Sequence, residues 1–234
     1  MNIKKIGRRE ALGAMGAAAG AAIAIGCGSG SPTSPTDSSS SGTTTTGSTN
    51  AACAVTPSET AGPFPSLTDI FRSDIRDGKT GTLLALTIKV VNVNAACAAV
   101  PNANVEVWHC DSSGNYSEYG TQTTQTYLRG IQTTNSSGEV TFTTIYPGWY
   151  QGRATHIHVE VTANGVSRKI TQIAFPESIN TSVYRSGAYA SRGSNPTSNL
   201  ADGIFADSLS AELVTPSGDP ASGYAASCQV AIAV

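Results

Sequence analysis

Two of the three histidines in this 234-residue chain stand together as His156-Ile157-His158. In an extended strand, side chains at i and i+2 leave the same face, so both imidazoles can reach one metal ion while Ile157 packs behind them. The third histidine, His109 in EVWHCD, lies on a separate strand-like run. It either completes a three-histidine zinc site or is a half-buried structural residue, and we take the structural reading. Tyr146, Trp149 and Tyr150 lie just upstream in TIYPGWYQGRATHIH. A Pro-Gly turn followed by Tyr150 puts a phenol within reach of the same metal. A phenol loses its proton only near pH 10, at about its reference value, so it ligates hard, strongly Lewis-acidic ions, of which Fe(III) fits best. The other reading of Tyr150 is an aromatic side chain packed at a strand end.

These side chains need elements to hold them. Strand-like runs cover residues 83–93, 104–111, 139–146, 155–162, 168–175 and 229–234, mostly alternating or β-branched. Turn-forming stretches such as Ser112-Ser113-Gly114-Asn115 and Ser136-Ser137-Gly138 bound them. The pattern predicts an all-β fold, a β-sandwich with long loops. Residues 178–210 lose the alternation in a Ser/Asn/Gly-rich region with one short helix expected around 200–208.

The first residues read as an address. Lys4, Lys5, Arg8 and Arg9 precede an uncharged, Ala/Gly-rich run that ends before Cys27. Such a layout is that of an export signal, and the run is too short and weakly apolar for a retained membrane span. The Arg8-Arg9 pair is similar to a twin-arginine signal, with an ordinary secretory signal as the alternative. Ala24-Ile25-Gly26-Cys27 is similar to a lipobox, which would make Cys27 a lipid-anchored first residue; the alternatives are a plain signal or a structural cysteine. From Gly28 to Ala52, 21 of 25 residues are Gly, Ser, Thr or Pro, a composition that cannot bury enough apolar surface to order itself. The expected organisation is therefore 1–27 export signal, 28–52 flexible linker and 53–234 β-sandwich domain, in an extracytoplasmic, membrane-anchored protein.

Charge excludes some partners. The formal net charge is -2, and loss of residues 1–26 would leave 10 basic and 15 acidic residues without a basic stripe, so nucleic acid is not an expected partner. Cys53, Cys97, Cys110 and Cys228 form an even set suited to an oxidising compartment. Four cysteines allow three connectivities; the reading taken is Cys97 with Cys110, which are close in sequence, and Cys53 with Cys228, which would tie the domain ends. A thiolate metal site has no Cys-x-x-Cys spacing to support it.

Six blocks then carry a resemblance: PSETAGPFP, DIRDGKTG, VEVWHCDSSGNYSEY, YLRGIQTTNSSGEVTFTTIYPGWY, GRATHIHVEV and ITQIAF, running from Thr56 to Phe175. In this order they resemble the intradiol ring-cleavage dioxygenases, the family of protocatechuate 3,4-dioxygenase and catechol 1,2-dioxygenase. The resemblance implies non-haem Fe(III) held by Tyr116, Tyr150, His156 and His158, with Arg153 and Gln172 in the same pocket and His109 outside the ligand set. It implies a catechol-type substrate, O2 as co-substrate and a cis,cis-muconate-type product, and thus a part in aromatic compound catabolism. Tyr150 would act both as ligand and as proton acceptor, while Arg153 would stabilise charge on the attacked carbon. Only Gln151 to Thr155 separate the second tyrosine from the first histidine, fewer than in the protocatechuate and catechol enzymes, so substrate identity stays open. A homo-oligomer is left open as well.

Two other classes fit parts of the pattern. A non-catalytic exported sandwich could use Trp108, Trp149 and Tyr150 to stack a sugar. A zinc hydrolase or lyase using His109, His156 and His158 would be colourless and indifferent to loss of Tyr116.

Overall fold

In β1 (Leu83–Asn92), alternate residues Leu84, Leu86, Ile88 and Val90 are fully buried. That two-residue period commits one face of the strand to a core. The computed structural model describes residues 53–234, so the expected export signal, lipobox cysteine and linker lie outside the described residues. Within it the chain forms two packed sheets. The first joins β1 to β2 (Ala98–Ala99), β5 (Glu139–Ile145), β8 (Ser217–Asp219) and β9 (Gly223–Ile232). The second has the order β4-β3-β6-β7, with β3 at Asn104–Trp108, β4 at Arg129–Thr133, β6 at His156–Ala163 and β7 at Val166–Ala174. All neighbours are antiparallel except β1 and β9, which run parallel over nine paired residues. This is the all-β sandwich expected from the sequence.

The main core lies between the sheets. Leu84, Leu86 and Ile88 of the first meet Val105, Val107, Ile157, Val159 and Ile173 of the second. Because the side-chain period is two, Trp108, His158 and Gln172 must leave the opposite face of the second sheet. Their positions are directly paired across three strands: Trp108 opposite His158, and His158 opposite Gln172. Arg129 of β4 extends the row on the other side of Trp108. Every residue of β6 except Thr162 is buried, so its outer face is covered as fully as its inner one.

A strap of residues 54–67 supplies much of that cover. Thr56 exchanges hydrogen bonds with Ala231 at 3.0 and 2.8 Å, and the Glu59 N–H donates to Ile170. The Thr60 carbonyl accepts from the Gln172 amide at 2.9 Å. Gly62 then passes over His158 with φ +69°, where an added Cβ would stand 3.0 Å from the imidazole Cε1. Positive φ and close approach together account for glycine at this position. Beyond the strap, residues 70–74 bridge to Ile131 and Thr143 and shield the sheet edge at β4.

Three expectations are corrected. The expected helix at 200–208 is replaced by a 3-10 turn at Asn199–Ala201 and a short α2 at Leu209–Glu212, while α1 forms earlier, at Glu177–Tyr184. Asp202 directs its carboxylate to other loops and to the Ile204 N–H, which holds this stretch out of a helix. Pro176, extended at φ -61° and ψ 138°, starts α1, and Asn180, Val183 and Tyr184 fix its buried face. The cysteine pairing also differs: Cys53 is bonded to Cys97, and Cys110 and Cys228 are free thiols. Cys97 sits at φ +59° in the turn after β1, with its Cα 5.6 Å from that of Cys53 at the foot of the strap. Cys110 packs instead beside Trp108 and Tyr116, and Cys228 on β9 packs against the main core. Burial pushes both of these thiols up to about 12. The third correction adds strands: β2, β4 and β8 form where no strand was expected.

Candidate metal and substrate site

Cross-strand register places His156 and His158 two residues apart on the covered face of β6, as the sequence spacing requires. Their Nε2 atoms approach to 3.1 Å. His156 Nδ1 lies 2.6 Å from the Ala154 carbonyl, which only accepts, so the ring proton is at Nδ1 and Nε2 carries a lone pair. His158 is clamped from two sides, by Gly62 and by the Trp108 indole stacked at 4.9 Å with an interplanar angle of 1°. Burial, reinforced for His156 by Arg153 and for His158 by His156, lowers both imidazoles, His156 to about 3. Both are therefore neutral, the form in which imidazole binds metals.

Tyr116 follows the turn Asp111–Asn115, whose backbone N–H groups at Ser113 and Asn115 are gathered by the Asp111 carboxylate. Its hydroxyl comes to 3.4 Å from His156 Nε2. Tyr150 follows the Pro147-Gly148 turn; an added Cβ on Gly148 would strike the Asp111 carbonyl, so the two tyrosine-bearing loops touch through a residue without a side chain. The Tyr150 ring stands 5.7 Å from that of Tyr116 and 5.6 Å from that of His156, both edge-on. Desolvation raises both phenols above the usual value, and Arg153 only partly opposes it. Phenolates at these positions call for a stronger cation than a guanidinium.

The donor set fits such a cation. At zinc–imidazole lengths of about 2.0–2.1 Å, two nitrogens at right angles on one ion stand roughly 3 Å apart. The observed 3.1 Å separation matches that spacing. Among the described residues His158 Nδ1 has no hydrogen-bond partner, and a metal on Nε2 would shift the ring proton to that nitrogen. Tyr116, His156 and His158 thus bring one oxygen and two nitrogens together, with the Tyr150 ring packed edge-on against Tyr116 and His156. His109 does not join them. Its Nε2 lies 2.7 Å from Thr144 Oγ1 and its Nδ1 lies 2.9 Å from the Cys110 carbonyl, so both nitrogens are engaged elsewhere. Among the described residues no group of three His, Cys, Asp or Glu side chains could hold a metal, which leaves the three-histidine zinc reading without a site.

Arg153 and Gln172 are brought to the same place. Arg153 Nη2 donates to Gln172 Oε1 at 2.5 Å, and Nη1 lies 3.5 Å from the Tyr150 hydroxyl. The residue that sequence reading missed is Asp202. Its Oδ2 accepts from Arg153 Nε at 2.8 Å and from the Ala154 N–H at 2.7 Å. An isolated Asp in a Ser/Asn/Gly-rich stretch looks like a turn residue, and only the fold shows that it is 1% exposed. Phe64 on the strap was missed too. It stacks on Tyr116 at 4.7 Å and meets Tyr119 and Tyr150 edge-on. Beside these rings opens a recess of about 180 Å³, lined by Phe64, Asn115, Tyr119, Thr121, Gln122 and both candidate tyrosine ligands.

Comparison with known proteins places this arrangement. Residues 64–193 match a family model described as Dioxygenase. An intradiol ring-cleavage dioxygenase from Tetranychus urticae is 32% identical, with 77% of this chain and 95% of that one aligned at a TM-score of 0.69. The dioxygenase domain of a dioxygenase carbohydrate-binding protein fusion from Streptomyces sp. SirexAA-E is 26% identical over 77% of this chain and 99% of that one, at a TM-score of 0.59. The 3-chlorocatechol 1,2-dioxygenase of Rhodococcus opacus 1CP shares the fold at 20% identity, with 76% and 72% covered and a TM-score of 0.55.

Proposed function

The chain belongs to the intradiol ring-cleavage dioxygenase family, and from that premise we propose that Tyr116, Tyr150, His156 and His158 hold Fe(III) in a site that opens catechols between their two hydroxyl-bearing carbons. Both atoms of O2 enter the ring-opened product, a muconate-type dicarboxylate. The observation that carries the reading is the convergence of the Tyr116 hydroxyl and the two histidine Nε2 atoms within 3.4 and 3.1 Å. Fe(III), when bound, supplies a Lewis acid that accepts the catechol dianion and draws electron density out of its ring toward O2.

The protein's own groups do the rest. A catechol must shed two protons to bind as a dianion; the Tyr150 phenolate would accept one, and hydroxide from solvent the other. Its ring is partly exposed, whereas Tyr116 is 4% exposed and stacked under Phe64, so Tyr150 is the phenol with freedom to move aside. Arg153, beside the Tyr150 hydroxyl, supports its anionic form and then faces the negative charge that develops on the substrate. Gln172 and Asp202 hold that guanidinium from two sides. The strap, anchored from Thr56 to Leu67, excludes water from the His158 side.

Outside the site, the export signal, the linker of residues 28–52 and a lipid on Cys27 remain parts of the same proposal. They place the enzyme outside the cytoplasm, tethered to a membrane. Among the described residues no helix is long and apolar enough to cross a membrane.

An absorption spectrum of the purified protein, with iron and zinc quantified on the same sample, tests the reading. A broad tyrosinate-to-Fe(III) band that moves to longer wavelength on anaerobic addition of catechol is the expected result. A colourless protein that ferric ion cannot reconstitute would overturn it.

A further inference from the structure

The recess beside Tyr116 and Tyr150 carries no positive charge, although guanidinium groups lie close to it. Among the described residues its walls are Phe64, Asn115, Tyr119, Thr121, Gln122, the two tyrosines and the glycines 114 and 120. Arg129 passes within 5.8 Å of the Tyr116 ring and 5.5 Å of the Tyr119 ring, but it is 1% exposed. Its donors go to Ser117 Oγ and the Ser117 carbonyl, to the Phe64 carbonyl and to Ser66, and Glu118 balances its charge at 3.3 Å. Arg192, near Gly114, lies 4.1 Å over the Trp149 ring and donates to the Ser113 carbonyl. Arg153 is neutralised by Asp202 at 2.8 Å and has Gln172 on its other arm.

A carboxylate entering this space would give up water and find no cation among the lining side chains, with aromatic faces and neutral amides in its place. An alkyl or other uncharged group would meet Phe64 and Tyr119, whose rings pack edge-on at 5.3 Å. We propose that this recess receives the ring substituent of the substrate and selects catechols whose substituent is uncharged, against those bearing a carboxylate. The inference rests on the ring-cleavage reading for the identity of the reacting ring. The charge preference itself comes from the recess.

Two compounds of similar size and different charge make the test: 4-methylcatechol and 3,4-dihydroxybenzoate. On the iron-loaded protein, kcat/KM is expected to favour 4-methylcatechol by about tenfold or more. Gln122→Arg, and separately Thr121→Lys on the same rim, should shift that ratio toward the carboxylate by about tenfold, reversibly with salt. A carboxylate substrate equal to or better than 4-methylcatechol in the unmodified protein would overturn the inference. So would a ratio unmoved in both variants. Binding of the uncleavable phenols 4-methylphenol and 4-hydroxybenzoate, followed by intrinsic fluorescence, keeps the two readings apart. If no catechol is cleaved, the ring-cleavage reading fails, and the fluorescence titration still decides the charge preference. Tighter binding of 4-methylphenol supports it, and tighter binding of 4-hydroxybenzoate overturns it.

Discussion

One carboxylate oxygen of Asp202 grips both the Arg153 guanidinium, at 2.8 Å, and the backbone N–H of Ala154, at 2.7 Å. Ala154 in turn offers its carbonyl to His156 Nδ1. A single buried acid therefore sets the position of the Arg153 guanidinium and of the segment that orients His156. Asp202→Asn keeps the shape and removes the charge, leaving Arg153 uncompensated. The expected outcome is a fall in kcat with KM for catechol little changed, together with an altered basic limb of the pH–rate profile as Tyr150 feels an unpaired guanidinium. Loss of a charge-assisted bond of this kind costs roughly 1.5–3 kcal/mol of stability, measurable by denaturant titration. A variant that loses stability but keeps its kcat and pH profile would show that Asp202 is only structural.

Tyr116→Phe separates ligand from scaffold. Among the described residues the hydroxyl makes one hydrogen-bond contact, to His156 Nε2 at 3.4 Å, and the ring keeps its stacking on Phe64 without it. The metal-free variant should unfold within about 0.5 kcal/mol of the parent, whereas iron content and the visible band should be lost. Unchanged iron content would remove Tyr116 from the donor set.

Much of this site is legible in the sequence because it depends on short-range spacing. His156 and His158 share a face by the two-residue period, and Ile157 goes to the core as expected. The strands around them show themselves by alternation. Arg129–Thr133 did not, because RGIQT puts an arginine and a glycine where a buried strand would show apolar residues. Arg129 is tolerated there only because Ser117, Ser66, Glu118 and the Phe64 carbonyl, distant in sequence, satisfy it. Asp202, Phe64 and the Cys53–Cys97 bond were hidden for the same reason: each acquires its role from a loop that reaches it across the fold.

Acid should destabilise the domain in a defined window. Burial lowers His109 to about 4 from its ordinary 6.5. An unfolded chain therefore takes up a proton on this residue below about pH 6.5 while the folded one does not, so stability falls as pH drops from 6.5 toward 4 and levels off below. This one residue accounts for up to about 3 kcal/mol across the window. His109→Gln should remove about one proton from the pH dependence of unfolding, read from guanidinium titrations between pH 7 and 4. An unaltered slope would show that His109 titrates normally in the fold.

Gly62→Ala puts a methyl group 3.0 Å from His158 Cε1 at a backbone φ of +69°. Strain at a left-handed position and the clash together should cost about 1–3 kcal/mol and push the strap off the imidazole. Faster loss of iron to a chelator, at unchanged secondary structure by circular dichroism, is the expected readout. Chelation at the parental rate would mean that the strap does not gate the metal.

Removing the Cys53–Cys97 bond tests how the strap is anchored. The bond spans 44 residues, for which chain-entropy arguments give roughly 3–4 kcal/mol. Cys53→Ser with Cys97→Ser should lower the unfolding midpoint accordingly, and a protease should then cut first before Thr56. Reductant should have no such effect on the double variant.

The parallel pairing of β1 with β9 sets a schedule for biosynthesis. Leu84 meets Tyr224 and Asn92 meets Ile232, partners separated by some 140 positions, and β9 lies between β1 and β8. A nascent chain emerging from the ribosome can zip β1 to β5 and close the His-bearing sheet. It cannot finish the sandwich until its last strand is free of the exit tunnel. Until then the β1 edge, with Leu84, Leu86 and Ile88 beside it, stays open to other chains. Completion therefore waits on synthesis of β9, and products stalled or truncated before it are the species most prone to aggregate.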